Sequence, residues 1–351
     1  MKLLIITQKV DTADDVLGFF HTWIKEFASH FEKVTVICLE KGQYEFPKNV
    51  SVFSLCKEEK SSRILYLWHF FKFIFLKRRD YDSVFVHMNP EYIVLGGFLW
   101  RLLKKKIVLW YVHRQVNLKL RVAEKFSHVI FSTTREAFRL RSKKVQFVGH
   151  GIDVSQFSRK IDSAFHDPVR ILHVGRITLI KNLDILIETA VFLKKNWSKK
   201  FTITLIGAPK THSDRTYERL LKEMVEKEGL QNDIIFGGSV SYQKIIDSYC
   251  NADISINLTP SGGMDKSVLE SIASGTIILS ANTAFRDLFG AYYQELLYNE
   301  RDARDLATKI KSIAEKSFEE RKKIAHYLYT RVSKDFSLEK LVHRISETLL
   351  L

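Results

Sequence analysis

The sequence is poor in the residues that build covalently braced or fibrous proteins. Its three cysteines, Cys38, Cys56 and Cys250, stand far apart with no CxxC pair. That excludes a disulfide scaffold and a zinc ribbon, and fits a reducing compartment. Five prolines and fifteen glycines are too few for long low-complexity linkers or collagen-like repeats. The longest apolar stretch, Ile64 to Leu76, is interrupted by His69 and Lys72 and is too short to cross a bilayer. The run before Asp11, Asp14 and Asp15 has neither the length nor the cleavage site of a secretory signal, so a cytoplasmic protein is expected. Catalytic fingerprints are missing as well: there is no GxGxxG, no Gly-Lys dipeptide, no HExxH and no GxSxG. A nicotinamide dehydrogenase, a Walker-type NTPase, a zincin and an α/β-hydrolase lose their signatures with them. The one DxD, Asp80-Tyr81-Asp82, precedes an apolar strand instead of following it. It reads as a solvated approach to that strand, and no metal site is expected.

What is present is a chain of 351 residues, 46% hydrophobic and 27% charged, which suits two ordinary globular domains. The charge is uneven. Residues 1–150 carry 26 basic and 14 acidic side chains, whereas the remainder carries 29 and 26. A basic first half beside a near-neutral second half faces something anionic: nucleic acid, an acidic lipid surface, or a phosphate-bearing acceptor.

Short β-branched runs alternate with segments of helical period. Strands are expected at Lys2–Thr7, Val34–Leu39, Val50–Leu55, Ser83–His87, Ile107–His113, Val129–Ser132 and Val145–Val148, with helices such as Phe19–Phe31 and Tyr92–Leu103 between them. The pattern lapses from Ser155 to Pro168, then restarts with strands at Arg170–Val174, Phe201–Ile206, Asp233–Phe236, Asp253–Leu258 and Thr276–Ser280, and a helix from Leu183. Near-continuous apolar strands separated by helices indicate parallel α/β sheets. The chain therefore reads as two consecutive doubly wound domains, with ligands expected beyond the carboxyl ends of the strands.

Two segments lie where such ligands would bind. Gly175-Arg176-Ile177-Thr178-Leu179-Ile180-Lys181-Asn182 joins a strand to a helix. Gly175 permits close backbone approach, and Arg176 and Lys181 set two cations at the sheet edge, either for a diphosphate or as solvated surface charges. The second runs from Pro260 through Ser261, Gly262, Gly263, Met264, Asp265 and Lys266 to Glu270 and Gly275. A diglycine loop there enters a helix whose first amides would hold an anion, with Glu270 one turn inside to accept from a ribose diol. An ordinary strand–loop–helix joint accounts for it equally well.

Taken in order with Gly151-Ile152-Asp153, these segments resemble the donor half of family 4 glycosyltransferases. That family carries an N-G-[IV]-D hinge, a G-R-x(4)-K-[GN] loop and a P-S-x-x-E-G-x-G-x(3)-L-E-A-x-A-x-G segment. The resemblance covers essentially the whole chain. It implies two Rossmann-like doubly wound α/β domains facing a central cleft, the GT-B fold. The implied spans are 1–155 for the acceptor, 165–332 for the donor, and 333–351 as a helix crossing back to the first domain. It further implies transfer of a hexose-type sugar from a UDP or GDP sugar to a saccharide or lipid-linked acceptor. Configuration would be retained, with no cofactor and no metal. Arg176 and Lys181 would stabilise the departing diphosphate, Glu270 would hold the ribose, and the amides of Gly263, Met264 and Asp265 would face the sugar. Those near Val268 and Leu269 would face the phosphate, and His113 corresponds to the family's histidine near the transferred sugar. Departures from the pattern are Gly262, where the family has a sugar-binding glutamate, and Arg114 after His113. Asp265 and Lys266 stand ready to supply the polar contacts that Gly262 lacks.

On the acceptor side the family's paired glycines are reduced to Gly18, and His87, ending an apolar strand on the same edge, is either a second contact or a packed core histidine. In Ser62–Arg79, Trp68, Phe70, Phe71, Phe73 and Phe75 are interleaved with Arg63, Lys72, Lys77, Arg78 and Arg79. The aromatic face reads as core and the cations as a peripheral contact with anionic membrane. No aromatic base platform or groove-reading helix accompanies the basic half, so nucleic acid is not expected as a partner. A nucleic-acid-binding protein and a catalytically silent sugar-nucleotide sensor are the competing classes.

Overall fold

The computed structural model describes residues 1–60, 62–157 and 164–350; part of the expected linker Ser155–Pro168 lies outside them. The chain divides into two compact units, Met1–Gly151 with Leu338–Leu351, and Ile152–Ser337.

The first unit runs β1 (Lys2–Val10), α1 (Phe20–His30), β2 (Lys33–Lys41), β3 (Val50–Ser54), α2 (Arg63–Leu76), β4 (Ser83–His87), α3 (Glu91–Leu102), β5 (Lys106–Trp110), α4 (Leu118–Phe126), β6 (Val129–Ser132) and β7 (Val145–Phe147). Its seven strands are parallel, in the order β3-β2-β1-β4-β5-β6-β7. The central strands are buried on both faces, as their unbroken apolar runs require. One face packs on α2, α3 and α4 through Phe70, Ile74, Trp100 and Leu120. The other packs on α1, and the last helix of the chain contributes Leu338, Leu341, Val342, Ile345 and Leu349 to the same core. The aromatic segment is divided against expectation: Phe70 and Ile74 are buried, but Trp68, Phe71 and Phe75 are exposed. Helical geometry sets the former toward the sheet and the latter on the opposite side.

The second unit runs β8 (Val169–Val174), α5 (Leu183–Asn196), β9 (Phe201–Ile206), α6 (His212–Lys227), β10 (Ile234–Gly238), α7 (Tyr242–Cys250), β11 (Ile254–Asn257), α8 (Lys266–Ala273), β12 (Ile277–Ser280), two single-turn helices α9 (Arg286–Phe289) and α10 (Tyr293–Leu296), α11 (Ala303–Glu315) and α12 (Phe318–Asp335). Helix α13 (Leu338–Leu350) then belongs to the first unit. The second sheet is also parallel, ordered β10-β9-β8-β11-β12. Its order reverses between β8 and β11, and that of the first sheet between β1 and β4. Such switch points open crevices at the carboxyl ends of the strands. No described helix is long and apolar enough to cross a membrane.

Glycine at the hinge has a local cause. A Cβ on Gly151 would sit 2.8 Å from Leu341 and 3.0 Å from Leu338, so the bare backbone seats α13. Beside it, Ile152 N donates to Phe336 O at 2.7 Å, and the Asp153 carboxylate caps the next turn by accepting from Ser155 N at 3.1 Å.

Candidate functional site

The switch point of the second sheet brings the two sequence segments together. The loop after β8 carries Gly175, Arg176 and Lys181, and the loop after β11 carries Thr259 to Asp265. Lys181 Nζ donates to Thr259 Oγ1 and to Asp265 Oδ2, both at 2.8 Å. That carboxylate oxygen also accepts from Thr259 Oγ1 at 2.6 Å and from Asn257 Nδ2 at 2.8 Å. Burial alone would raise the Asp265 pKa; Lys181 and the two neutral donors outweigh it and hold the carboxyl below its ordinary value. Asp265 is the N-cap residue of α8, yet its side chain makes no capping bond, because it is turned to Lys181.

Backbone conformation explains the rest of the first loop. Asn182 adopts the left-handed conformation at φ 46°, which asparagine and glycine reach at least cost. That accounts for the residue choice after the lysine. Its side chain donates to Leu258 O at 3.2 Å and accepts from Arg301 at 2.9 Å, tying the two loops through β11. Arg176 is exposed at the same edge. Under Gly175 lies His173, buried, with Nδ1 at 3.0 Å from Ile256 O. Burial and then the Lys181 charge lower its pKa to about 4, so the ring is neutral, Nδ1 donates, and Nε2 carries a lone pair. A Cβ at Gly175 would lie 3.1 Å from that Nε2.

The second loop is shaped at its glycines. Gly262 takes φ 155°, which L residues rarely adopt; a glutamate here would require another path. Asn282 Nδ2 donates to Gly263 O at 2.8 Å, and Ser261 Oγ lies 2.9 Å from Thr283 Oγ1. A Cβ on Gly263 would meet nothing within 4 Å, so this turn borders open space. Met264 packs partly against the second core. Val268 and Leu269 are buried, and Val268 N donates to Asp265 O at 3.2 Å.

Glu270 is 5% exposed. Its Oε1 accepts from Tyr242 OH at 2.8 Å and forms a salt bridge with Lys266 Nζ. Burial pushes the Tyr242 hydroxyl well up, with the Glu270 charge adding to it; burial lowers Lys266, and Glu270 opposes that shift. Two cation–carboxylate pairs thus stand side by side: Lys181 with Asp265, and Lys266 with Glu270.

Sequence reasoning missed Asn257, Thr259, Tyr242 and Asn282, which have no motif of their own. It also missed Gly207. With φ +138°, a Cβ there would fall 2.0 Å from Gly175 O, and Gly207 lets β9 end against the cation-bearing loop. Gly207→Ala should cost about 3 kcal/mol or more from strain and overlap together. A melting midpoint for this variant equal to the parent would contradict that close approach.

The first-unit candidates lie around their own switch point. Gly18 is buried in the turn before α1, its amide donating to Asp14 O at 3.2 Å. Asp14 is raised by burial but lowered further by the amides of Leu17 and Val16 and by Lys9, so the turn is built on a carboxylate. His87 is 2% exposed, stacked on Phe20 at 3.9 Å, with Nδ1 at 3.3 Å from Thr7 Oγ1. Burial lowers its pKa to about 3, which makes it a neutral packed ring at physiological pH. His113 is exposed in the loop beyond β5, its Nδ1 accepting from Gln115 N at 3.0 Å; Nε2 is left to carry the proton. The strand stops at Trp110, three residues short of the expected Ile107–His113.

The profile of the family described as "Glycosyl transferases group 1" matches residues 154–331, just over half of the chain. The chain belongs to that family. A curated relative, an uncharacterized glycosyltransferase of Methanocaldococcus jannaschii, is 23% identical over 227 residues, covering 60% of this chain and 53% of that protein. The chain spans about half the length of that relative. Among solved structures, Anabaena HepE in complex with UDP and glucose aligns with TM-score 0.75 and 16% identity over 100% of this chain and 99% of that one. Sucrose-phosphate synthase of Thermosynechococcus elongatus aligns with TM-score 0.76 and 13% identity over 99% and 98%. These glycosyltransferase likenesses establish the fold: two Rossmann-like units, the GT-B architecture. Among the described residues of this group 1 member, no cluster of three or more His, Cys, Asp or Glu side chains is placed to hold a metal ion.

Proposed function

We propose that this group 1 glycosyltransferase moves a hexose-type sugar from a UDP or GDP sugar to a saccharide or lipid-linked acceptor. Configuration is retained and no metal takes part. The observation that supports this reading is that Lys181, in the loop carrying Arg176, binds Thr259 and Asp265 of the loop leading into the helix of Glu270, at the switch point of the second sheet. The two cations stabilise the charge that develops on the leaving diphosphate, the part a metal plays elsewhere. Glu270 accepts from the ribose diol, with Tyr242 and Lys266 fixing its carboxylate. Gly263 leaves room for the sugar, and Asp265 supplies the carboxylate that Gly262 does not. In the first unit, His113 and the turn at Gly18 are the candidates for contacts with the sugar and the acceptor. Reduced thiols at Cys38 and Cys56 suit a cytoplasmic setting.

The test is a thermal-shift panel of UDP, GDP, ADP, NAD and a short oligonucleotide, repeated with Glu270→Gln. A nucleotide at a hundredfold its Kd adds about 2.7 kcal/mol. UDP or GDP should stabilise the parent and not the variant, and turnover of the matching sugar nucleotide should persist in excess EDTA. A shift with the oligonucleotide alone would replace this reading by a nucleic-acid-binding one. Donor binding without turnover on any acceptor would make the protein a sensor.

A further inference from the structure

Helix α2 contains no acidic residue and is apolar on every side, which is the composition of an element covered all round. The protein covers only one side of it. Phe70 and Ile74 are buried on the sheet, while Ile64, Trp68, Phe71 and Phe75, at helical spacing along the opposite side, are 80%, 54%, 44% and 52% exposed. Helix α3 lies beside it, with Phe70 packed 5.6 Å from Tyr92 and 6.1 Å from Trp100. It adds Phe98 and Leu102, 71% and 69% exposed. Single exposed apolar residues are ordinary; two neighbouring helices carrying such rows form a patch that marks an interaction surface.

The charges around this patch identify its partner. Lys72 Nζ sits 4.6 Å over the Trp68 ring, and the Arg78 guanidinium 4.3 Å over Phe75. Arg63, Arg79, Arg101 and Lys104 are exposed on the same two helices or just after them. Two of the acids near these helices are already engaged: Asp80 with Lys33 at 2.9 Å, Glu91 with Lys119 at 3.0 Å. Aromatic and aliphatic side chains at the centre with unpaired-sign cations beside them match the acyl boundary and the phosphate layer of a leaflet. A second copy of the chain would set two basic rims against each other, which like-charge repulsion opposes.

We propose that α2 and α3 dock the first unit on an anionic lipid bilayer, with Trp68, Phe71, Phe75 and Phe98 inserted and the flanking Lys and Arg on headgroup phosphates. The inference does not depend on the donor pocket. The experiment is flotation of the full chain with phosphatidylcholine vesicles, with and without phosphatidylglycerol. Fluorescence quenching by brominated acyl chains is measured alongside it. Partition should be at least roughly tenfold stronger on the anionic vesicles and weaken with salt. Quenching should fall mostly with Trp68→Ser, since Trp23, Trp100 and Trp110 are buried and Trp197 packs partly buried against the core of the second unit. Trp68→Ser/Phe71→Ser/Phe75→Ser, checked for an unchanged melting point, should lose vesicle binding; Arg63→Gln/Lys72→Gln/Arg78→Gln/Arg79→Gln should lose the anionic preference. Absence of vesicle binding by the parent overturns the proposal. So does binding indifferent to the aromatic triple variant, or a dimer that this variant disperses in the absence of any lipid effect.

Discussion

Lys181→Ala should lower turnover by about 10²–10³-fold, the scale of losing one preorganised charge-stabilising donor. Its ammonium holds two oxygens of the β11 loop, Thr259 Oγ1 and Asp265 Oδ2, so the same substitution also leaves a carboxylate short of its counter-charge. Removing one partner of such a pair destabilises by more than the pair contributes. The two effects separate in Lys181→Ala/Asp265→Ala. The double variant should recover most of the lost melting temperature and none of the lost rate. Recovery of both would mean that Lys181 serves only to neutralise Asp265, and the diphosphate assignment would fall. Arg176→Ala, at an exposed position, should slow turnover with little change in stability.

Acid should weaken both units well before their carboxylates protonate. His87 titrates near pH 3 and His173 near pH 4 in the folded chain, against an ordinary 6.5. Both are lowered first by burial, so the fold accepts only the neutral rings. The unfolded chain binds those protons near pH 6.5. Stability is therefore complete above that pH and is lost as pH falls from 6.5 toward 4 and below. The slope is about 1.36 kcal/mol per pH unit for each histidine. By pH 5 each of these two histidines should have cost its unit about 2 kcal/mol, and in the first unit His21 and His128, also lowered chiefly by burial, add to the loss. Asp14 and Asp265, both lowered from 3.8, contribute only below this window. Calorimetry between pH 7.5 and 5 should show the slope, with His87→Phe flattening it for the first unit and His173→Gln for the second. A profile unchanged by either variant would place the acid sensitivity elsewhere.

Strands buried on both faces were the most legible part of the fold. Ser83–His87, Val129–Ser132 and Phe201–Ile206 have the bounds their apolar runs suggest. The overshoot after Ile107 came from reading Tyr111 and Val112 as more strand. Tyr111 OH instead donates to Gln115 O at 3.1 Å and helps turn the chain. In the site, Arg176 and Lys181 were visible because their spacing belongs to one loop, and Glu270 because it stands one turn inside α8. Their partners were not, since Thr259 and Tyr242 reach Lys181 and Glu270 from other elements, and Asn257 joins only through Asp265. Nor does composition reveal the φ of 155° that Gly262 adopts. In α2, equal hydrophobicity on both sides hid which row would face the sheet.

Helix α13 closes the core of the first unit against α1, yet it is translated only after the whole of the second unit. On the ribosome, the first sheet must wait with the α1 side of its core incomplete while the second folds. Vectorial synthesis therefore runs against the order of assembly. A chaperone's window on this chain opens at its beginning and shuts only when Leu338–Leu350 arrives.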